Sequence, residues 1–248
     1  MELVGEGSMT RRGWMSLVGA GLGVLALVGC GKPRETLRYR LTVTVDTPQG
    51  PRSGSSVIEV VGVRNPGWLT PEGRGTRSSF RGEAVAVDLP GGKVLFALLK
   101  TSGGASDAAD YPWLAFRERL KGSQDWLDSI RRMRAWRGQV AVMPATETTL
   151  VADNVPALPR LVRFRDVADP ASVEKVDPAN LAASFGPGFA LKAVRVEVTD
   201  DPVTTGIGKR LGWLTNPAVM QNPGWSKLPY DARLAINGLY QGTLENGQ

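Results

Sequence analysis

The stretch LRYRLTVTVD, residues 37–46, alternates an apolar side chain with a charged or hydroxyl-bearing one at every position. Such a period of two places all the apolar side chains on one face, which is typical of a half-buried β-strand. The apolar face consists of Leu37, Tyr39, Leu41, Val43 and Val45. The stretch therefore predicts a strand on which a sheet with one buried face can be built.

Two hairpins are expected around this strand. Residues 47–51, TPQGP, form a turn signal, and residues 55–63 are predicted to return as the second strand. Further on, Pro90-Gly91-Gly92 separates residues 80–89 from residues 93–99, and a glycine pair tolerates the positive φ of tight hairpin turns. The second of these strands is continuously apolar from residue 94, which indicates burial on both faces.

Helical spacing replaces strand spacing between residues 111 and 137. Ser123 is expected to cap the second of two helices, with Asp125 in its first turn. The apolar stripes of the two helices consist of Trp113, Phe116 and Leu120, and then of Trp126, Ile130 and Met133. The pattern predicts a two-helix insertion between strands.

The rest of the chain is predicted to be mainly short strands. Asn237-Gly238, with apolar residues on both sides, indicates a final hairpin. The other predicted elements are strands at 139–143, 161–164 and 189–199 and a short helix near 178–183. We therefore expect one α+β domain over residues 37–248, with a mainly antiparallel sheet of sandwich- or barrel-like form.

The composition excludes several kinds of catalytic and metal site but does not identify an activity. The 248 residues include no histidine and one cysteine. This excludes Ser-His-Asp and Cys-His catalysis, imidazole zinc sites and zinc sites built from cysteine alone. Gly206-Ile207-Gly208-Lys209-Arg210 fails as a phosphate loop, because Val203 and Arg210 stand where that motif needs glycine and Ser or Thr. We expect no catalytic residue, metal or cofactor.

The N-terminal stretch has the character of a secretory leader. Arg11 and Arg12 precede an uncharged stretch, residues 14–28, that is too short for a typical membrane-spanning helix. It ends in Leu27-Val28-Gly29-Cys30, which resembles the lipobox of bacterial lipoproteins. The resemblance implies that signal peptidase II removes the leader before Cys30, that Cys30 is acylated, and that residues 31–36 form a short tether.

The same resemblance implies a location. A lipobox protein would be lipid-anchored in the cell envelope and face the periplasm, and Gly31 after the cysteine favours the outer membrane. Thr10-Arg11-Arg12 also resembles the start of a twin-arginine export motif, so both that route and the general secretory route remain open. Segments of the mature part, notably 39–60, 80–99 and 201–214, resemble uncharacterised proteobacterial proteins, which implies no activity.

A net charge of +6 leaves two interpretations open: an anionic partner, namely anionic lipid, a glycan or an envelope protein, or a solvated basic surface with no dedicated partner. Nucleic acid is not expected outside the cytoplasm. Two roles are open for the arginines at the end of the second helix. They suit the negative end of the helix dipole, and they could contact lipid phosphates. These arginines are Arg131, Arg132, Arg134 and Arg137.

Three functions remain open. The leading interpretation is a non-enzymatic envelope lipoprotein that binds or scaffolds at a membrane. A glycan-directed hydrolase with paired carboxylates and a small-ligand binder with a cavity in the core are the alternatives. The available carboxylates are Glu83, Asp107, Asp110, Asp125, Asp128, Asp200 and Asp201.

Overall fold

The alternating stretch forms the central strand of the larger sheet. In the computed structural model, which describes residues 33–65, 75–123, 125–149, 152–221 and 224–241, strand β1 covers Arg34–Asp46. The predicted apolar face is buried, and Tyr39 and Leu41 are fully inaccessible. Strand β2, Arg52–Asn65, pairs with β1 along almost its whole length, so the first hairpin is confirmed. Because β1 begins at Arg34, residues 34–36 belong to the strand and not to a tether.

The fold is mainly antiparallel β-structure with helices, as the sequence predicted. The other strands are β3 Gly75–Glu83, β4 Val85–Leu89, β5 Lys93–Thr101, β6 Val140–Val142, β7 Thr146–Glu147, β8 Val155–Pro156, β9 Pro159–Phe164, β10 Val173–Val176, β11 Ala190–Val198 and β12 Tyr240–Gln241. Among the described residues, six strands form one sheet in the order β12-β3-β2-β1-β11-β6. Four form a second sheet, β10-β9-β5-β4, and β7 pairs with β8.

The two larger sheets enclose the main core. Side chains of β1 and β2 pack in one apolar cluster with those of β4, β5 and β9. The sheets approach closely at Gly54, where a Cβ atom would lie 2.0 Å from the backbone oxygen of Ala86. Only a residue without a side chain fits there, so Gly54 sets the distance between β2 and β4.

The segment predicted as one strand over residues 80–89 is two strands in different sheets. Strand β3 ends at Glu83 and β4 begins at Val85. Between them the N–H of Ala84 donates to the carbonyl of Leu239, 2.7 Å away. The chain therefore crosses from the larger sheet to the smaller one, a step that alternation along one strand does not reveal. The β4–β5 hairpin itself is confirmed.

The two-helix insertion is present, with a different cap from the one predicted. Helices α1, Tyr111–Phe116, and α2, Trp126–Arg134, follow the second sheet's central strand. Asp125, and not Ser123, caps α2: its side chain accepts from the N–H of Asp128 at 2.9 Å. Helix α2 packs against β2 at Gly62, where a Cβ atom would be 2.9 Å from the Ile130 side chain.

A third layer of short helices covers the smaller sheet. After α3, Leu181–Phe185, these helices are α4 Ile207–Arg210, α5 Pro217–Met220, α6 Gly224–Lys227 and α7 Tyr230–Leu239. There are also two 3₁₀ turns, Pro170–Ser172 before α3 and Gly212–Thr215 after α4. They bury Ile207, Trp213 and Ile236 against Phe96 and Leu98 of β5. None of the helices in the described ranges has the length and apolar composition needed to span a membrane.

The predicted hairpin at Asn237-Gly238 is wrong, because both residues lie inside α7. The buried residues of α7 include Ala232, Ala235 and Leu239, whose spacing of three and four is that of a helix face. Gly238 serves packing and not a turn: a Cβ atom there would meet the Leu98 side chain at 3.0 Å.

Candidate functional site

Arginine side chains gather where β1 begins. The last turn of α2 lies beside Glu35, and that carboxylate pairs with Arg131 at 3.1 Å and with Arg134 at 3.2 Å. Arg137, just after the helix, pairs with Asp200 at 2.7 Å. Three of the four arginines singled out from the sequence therefore surround one end of the larger sheet.

The fourth arginine has a local role. Arg132 pairs with Asp128 one turn earlier in α2, at 2.9 Å. An exposed i,i+4 pair of this kind stabilises a helix by about 0.3–0.5 kcal/mol. Arg132 thus supports the helix that presents the other arginines.

A cleft opens at this end of the sheet because β11 leaves β1 early. The N–H of Thr199 donates to the carbonyl of Arg38 at 3.0 Å, and β11 provides no partner for the residues of β1 that precede Arg38. The resulting cleft has a volume of about 540 Å³. Its lining consists of Arg34, Thr36, Leu37, Arg38, Glu59, Arg134, Val198, Thr199 and Asp200.

One carboxylate in the cleft, Glu59, has its negative charge balanced by ion pairs. Glu59 pairs with Arg38 and with Arg81, each at 2.8 Å. Burial alone would raise the pKa of Glu59, but the hydrogen bonds and charges of Arg81 and Arg38 outweigh it and lower the pKa. Glu59 therefore stays ionised and holds both arginines against the sheet, with their charges only half balanced.

Positive charge predominates around the cleft. Six arginines face three carboxylates, and within the described residues Arg34 has no carboxylate partner. The arginines are Arg34, Arg38, Arg81, Arg131, Arg134 and Arg137, and the carboxylates are Glu35, Glu59 and Asp200. A surface with this balance attracts anions, and guanidinium groups suit carboxylate or phosphate oxygens in particular.

The sequence analysis missed Arg34, Arg38, Arg81 and Glu59. The alternation of residues 37–46 placed Arg38 on the polar face, but only the register of β1 with β2 brings Glu59 opposite it. The register of β2 with β3 then adds Arg81 opposite Glu59. These pairings join residues far apart in sequence, so no local pattern could have found them.

The carboxylates considered for hydrolysis have structural partners. Glu83 accepts from the N–H groups of Gly206 and Ile207, both at 2.9 Å, and so positions the start of α4. Asp125 caps α2, and Asp201 pairs with Arg40. Together with the Asp128 and Asp200 pairs, these contacts give each carboxylate a role in the fold.

The remaining two carboxylates shape the loop before α1. Asp107 accepts from the N–H of Ala109 at 2.9 Å, and Asp110 accepts from the N–H of Asp107 at 3.2 Å. Burial raises the pKa of Asp110 to about 6; the hydrogen bond from Asp107 opposes this rise, while the charges of Asp107 and Glu147 add to it. Within the described ranges, no group of acidic residues has an arrangement that could hold a metal ion.

The predicted anchor lies outside the described residues. This applies to the export arginines Arg11 and Arg12 and to the lipobox Leu27, Val28, Gly29 and Cys30. The sequence Asn-Pro-Gly-Trp occurs twice, at residues 65–68 and 222–225. Trp225, in α6, packs against the apolar cluster between the third layer and the smaller sheet, and Trp68 lies outside the described residues. Comparison with family models, curated proteins and solved structures finds no match to this chain.

Proposed function

We propose that this chain is a lipid-anchored lipoprotein of the cell envelope that acts by binding, without catalysis, at a membrane surface. The cleft at the start of β1 is the binding site, and its partner is anionic. The observation that carries the proposal is the position of the arginine cluster, which begins at Arg34, four residues after the cysteine of the lipobox-like sequence.

The length of chain between Cys30 and the cleft supports this proposal. Four residues of fully extended chain reach about 14 Å at most. If Cys30 is acylated, Arg34 is therefore held within a short distance of the lipid headgroups. A basic cleft so close to the bilayer meets anionic lipid, anionic glycan and acidic segments of neighbouring envelope proteins.

The chemistry of the cleft supports binding over catalysis. Arginine stays protonated at any physiological pH and presents a rigid set of donors, which suits recognition of oxyanions. The carboxylates considered for a hydrolase are taken up by helix caps, turns and ion pairs. The arginines of the cleft outnumber their carboxylate partners, and binding of an anionic partner is the function that uses them.

The first test is the intact mass of the protein extracted from membranes of its host, measured beside a Cys30→Ser variant. We expect a chain that starts at Cys30 and carries acyl mass, and we expect the variant to lack both changes. A full-length, unacylated chain in the cytoplasmic fraction would contradict the proposed anchor and location.

A further inference from the structure

The floor of the cleft is an unpaired strand edge. In an antiparallel ladder, alternate residues direct their N–H and C=O groups to one neighbour and then to the other. Pro33 accepts from the N–H of Arg64 in β2, and Arg38 accepts from Thr199 on the opposite side. Odd-numbered residues at this end of β1 therefore bond to β2, and the even-numbered ones face the cleft.

Arg34 and Thr36 both lie on this open side, and Thr36 is the more central of the two. Its N–H and C=O groups point into the cleft, and no described residue pairs with them, because β11 has already ended at Val198. A phosphate can accept from the N–H but offers nothing to the C=O. A peptide strand satisfies both groups, which is the basis of recognition by strand addition.

Arginines flank this edge on both faces of the sheet. Arg34 and Arg38 lie with Thr36 on one face, and Arg134 reaches the other face, where it pairs with Glu35. Side chains of an added strand would lie about 5 Å from their cross-strand neighbours, so alternate positions would meet these guanidinium groups. Like charges there repel a basic segment and favour an acidic one.

We propose that β1, at residues 34–37, is a strand-addition site for an extended, acidic peptide segment of another envelope protein. The segment takes the place next to β1 that β11 vacates at Thr199 and becomes an additional strand of the larger sheet at this end. This inference rests on the proposed function only in that the partner is anionic and is bound unchanged. It does not require the lipid anchor.

The probe is a short, fluorescently labelled peptide that alternates glutamate with valine. Its binding to the full-length protein in a neutral detergent is followed by anisotropy. Two control peptides carry lysine in place of glutamate, or N-methyl groups on alternate amides, which remove donors but keep the charges. We expect binding of the first peptide and loss of binding with both controls.

Thr36→Pro is the sharpest variant, because it removes the N–H at the middle of the unpaired edge. Proline is tolerated on a strand edge whose N–H is unpaired, so the fold should persist. We expect affinity for the glutamate peptide to fall about tenfold, the loss of one well-made hydrogen bond plus a steric block. Val140→Pro is the matched control: Val140 lies on the edge strand β6 with its N–H directed away from β11.

The charge requirement is tested separately. Arg34→Gln should weaken the glutamate peptide about threefold, and Arg52→Gln, at the far end of the same hairpin, should not. Equal binding of the N-methylated peptide, or unchanged affinity in Thr36→Pro, would overturn strand addition. If no peptide binds while Arg34→Gln lowers co-sedimentation with phosphatidylglycerol vesicles, the cleft takes headgroups, and the proposed function stands without this inference.

Discussion

At the scale of single residues, the position of a charged group decides whether it contributes to the fold or to binding. Glu59 is partly buried and forms ion pairs with two arginines, Arg38 and Arg81. It therefore positions these arginines in the cleft and is not available to a partner. Arg34, four residues before Arg38 in β1, has no carboxylate partner among the described residues. The same strand pair thus carries a structural ion pair and an arginine that, under the proposed function, contacts the anionic partner.

Asp110 is predicted to make the protein less stable as the pH rises. Its folded-state pKa of about 6 lies above the ordinary value of 3.8. The favourable contribution of the neutral carboxyl is therefore complete below about pH 4 and is lost as the pH rises through about 6. Asp110→Asn keeps an acceptor for the N–H of Asp107 and removes the charge, so it should raise the free energy of unfolding at pH 8.

Urea denaturation of wild type and Asp110→Asn across this pH range measures the effect. The difference between the two proteins should shrink as the pH falls and be smallest below about pH 3, where the wild-type carboxyl is protonated in both the folded and the unfolded state. Asp153→Asn, at an exposed position, serves as the control for the loss of one carboxylate without burial. A wild type that is more stable than Asp110→Asn at pH 8 would contradict the burial argument.

At the scale of elements, two variants test whether Asp125 or Ser123 caps α2. Asp125→Ala removes the acceptor for the N–H of Asp128 and should cost about 1 kcal/mol of stability. Ser123→Ala should be neutral or stabilising, because the buried Ser123 hydroxyl has no hydrogen-bond partner among the described residues. The midpoints of chemical denaturation give both values, and the reverse order would restore Ser123 as the cap.

Elements were predictable where their signal is local. The alternation in β1 and the glycine turn between β4 and β5 depend on neighbouring residues, and both predictions are confirmed. The hairpin at residues 237–238 failed because a turn-forming dipeptide was preferred to the helical spacing around it. The cleft could not be predicted, because it exists only where β11 leaves β1, a long-range event with no local signature.

At the scale of the whole molecule, the distance between the two sheets depends on one glycine. Gly54→Ala would place a Cβ atom 2.0 Å from the Ala86 oxygen, far inside van der Waals contact, so the backbone must shift. We expect a loss of at least 1–3 kcal/mol, roughly the cost of overpacking a core. Gly212→Ala, where the added atom meets nothing within 4 Å, should be tolerated.

Thermal unfolding followed by circular dichroism compares these two glycine variants directly. A single cooperative transition at a clearly lower temperature is expected for Gly54→Ala only. Equal midpoints for the two variants would contradict the prediction that a Cβ atom at residue 54 clashes with the backbone of Ala86.

The positions of β2 and β11 in the sequence also determine the order in which β1 can pair with them during folding. Strand β1 can find β2 as soon as residue 65 is available, but its other edge waits for residues 190–198. Closing a loop of that length is slow compared with forming a hairpin. If the proposed export follows the general secretory route, β1 emerges early and stays half-paired while most of the chain follows. The edge beside residues 34–37 is the part of that strand that the finished fold never closes.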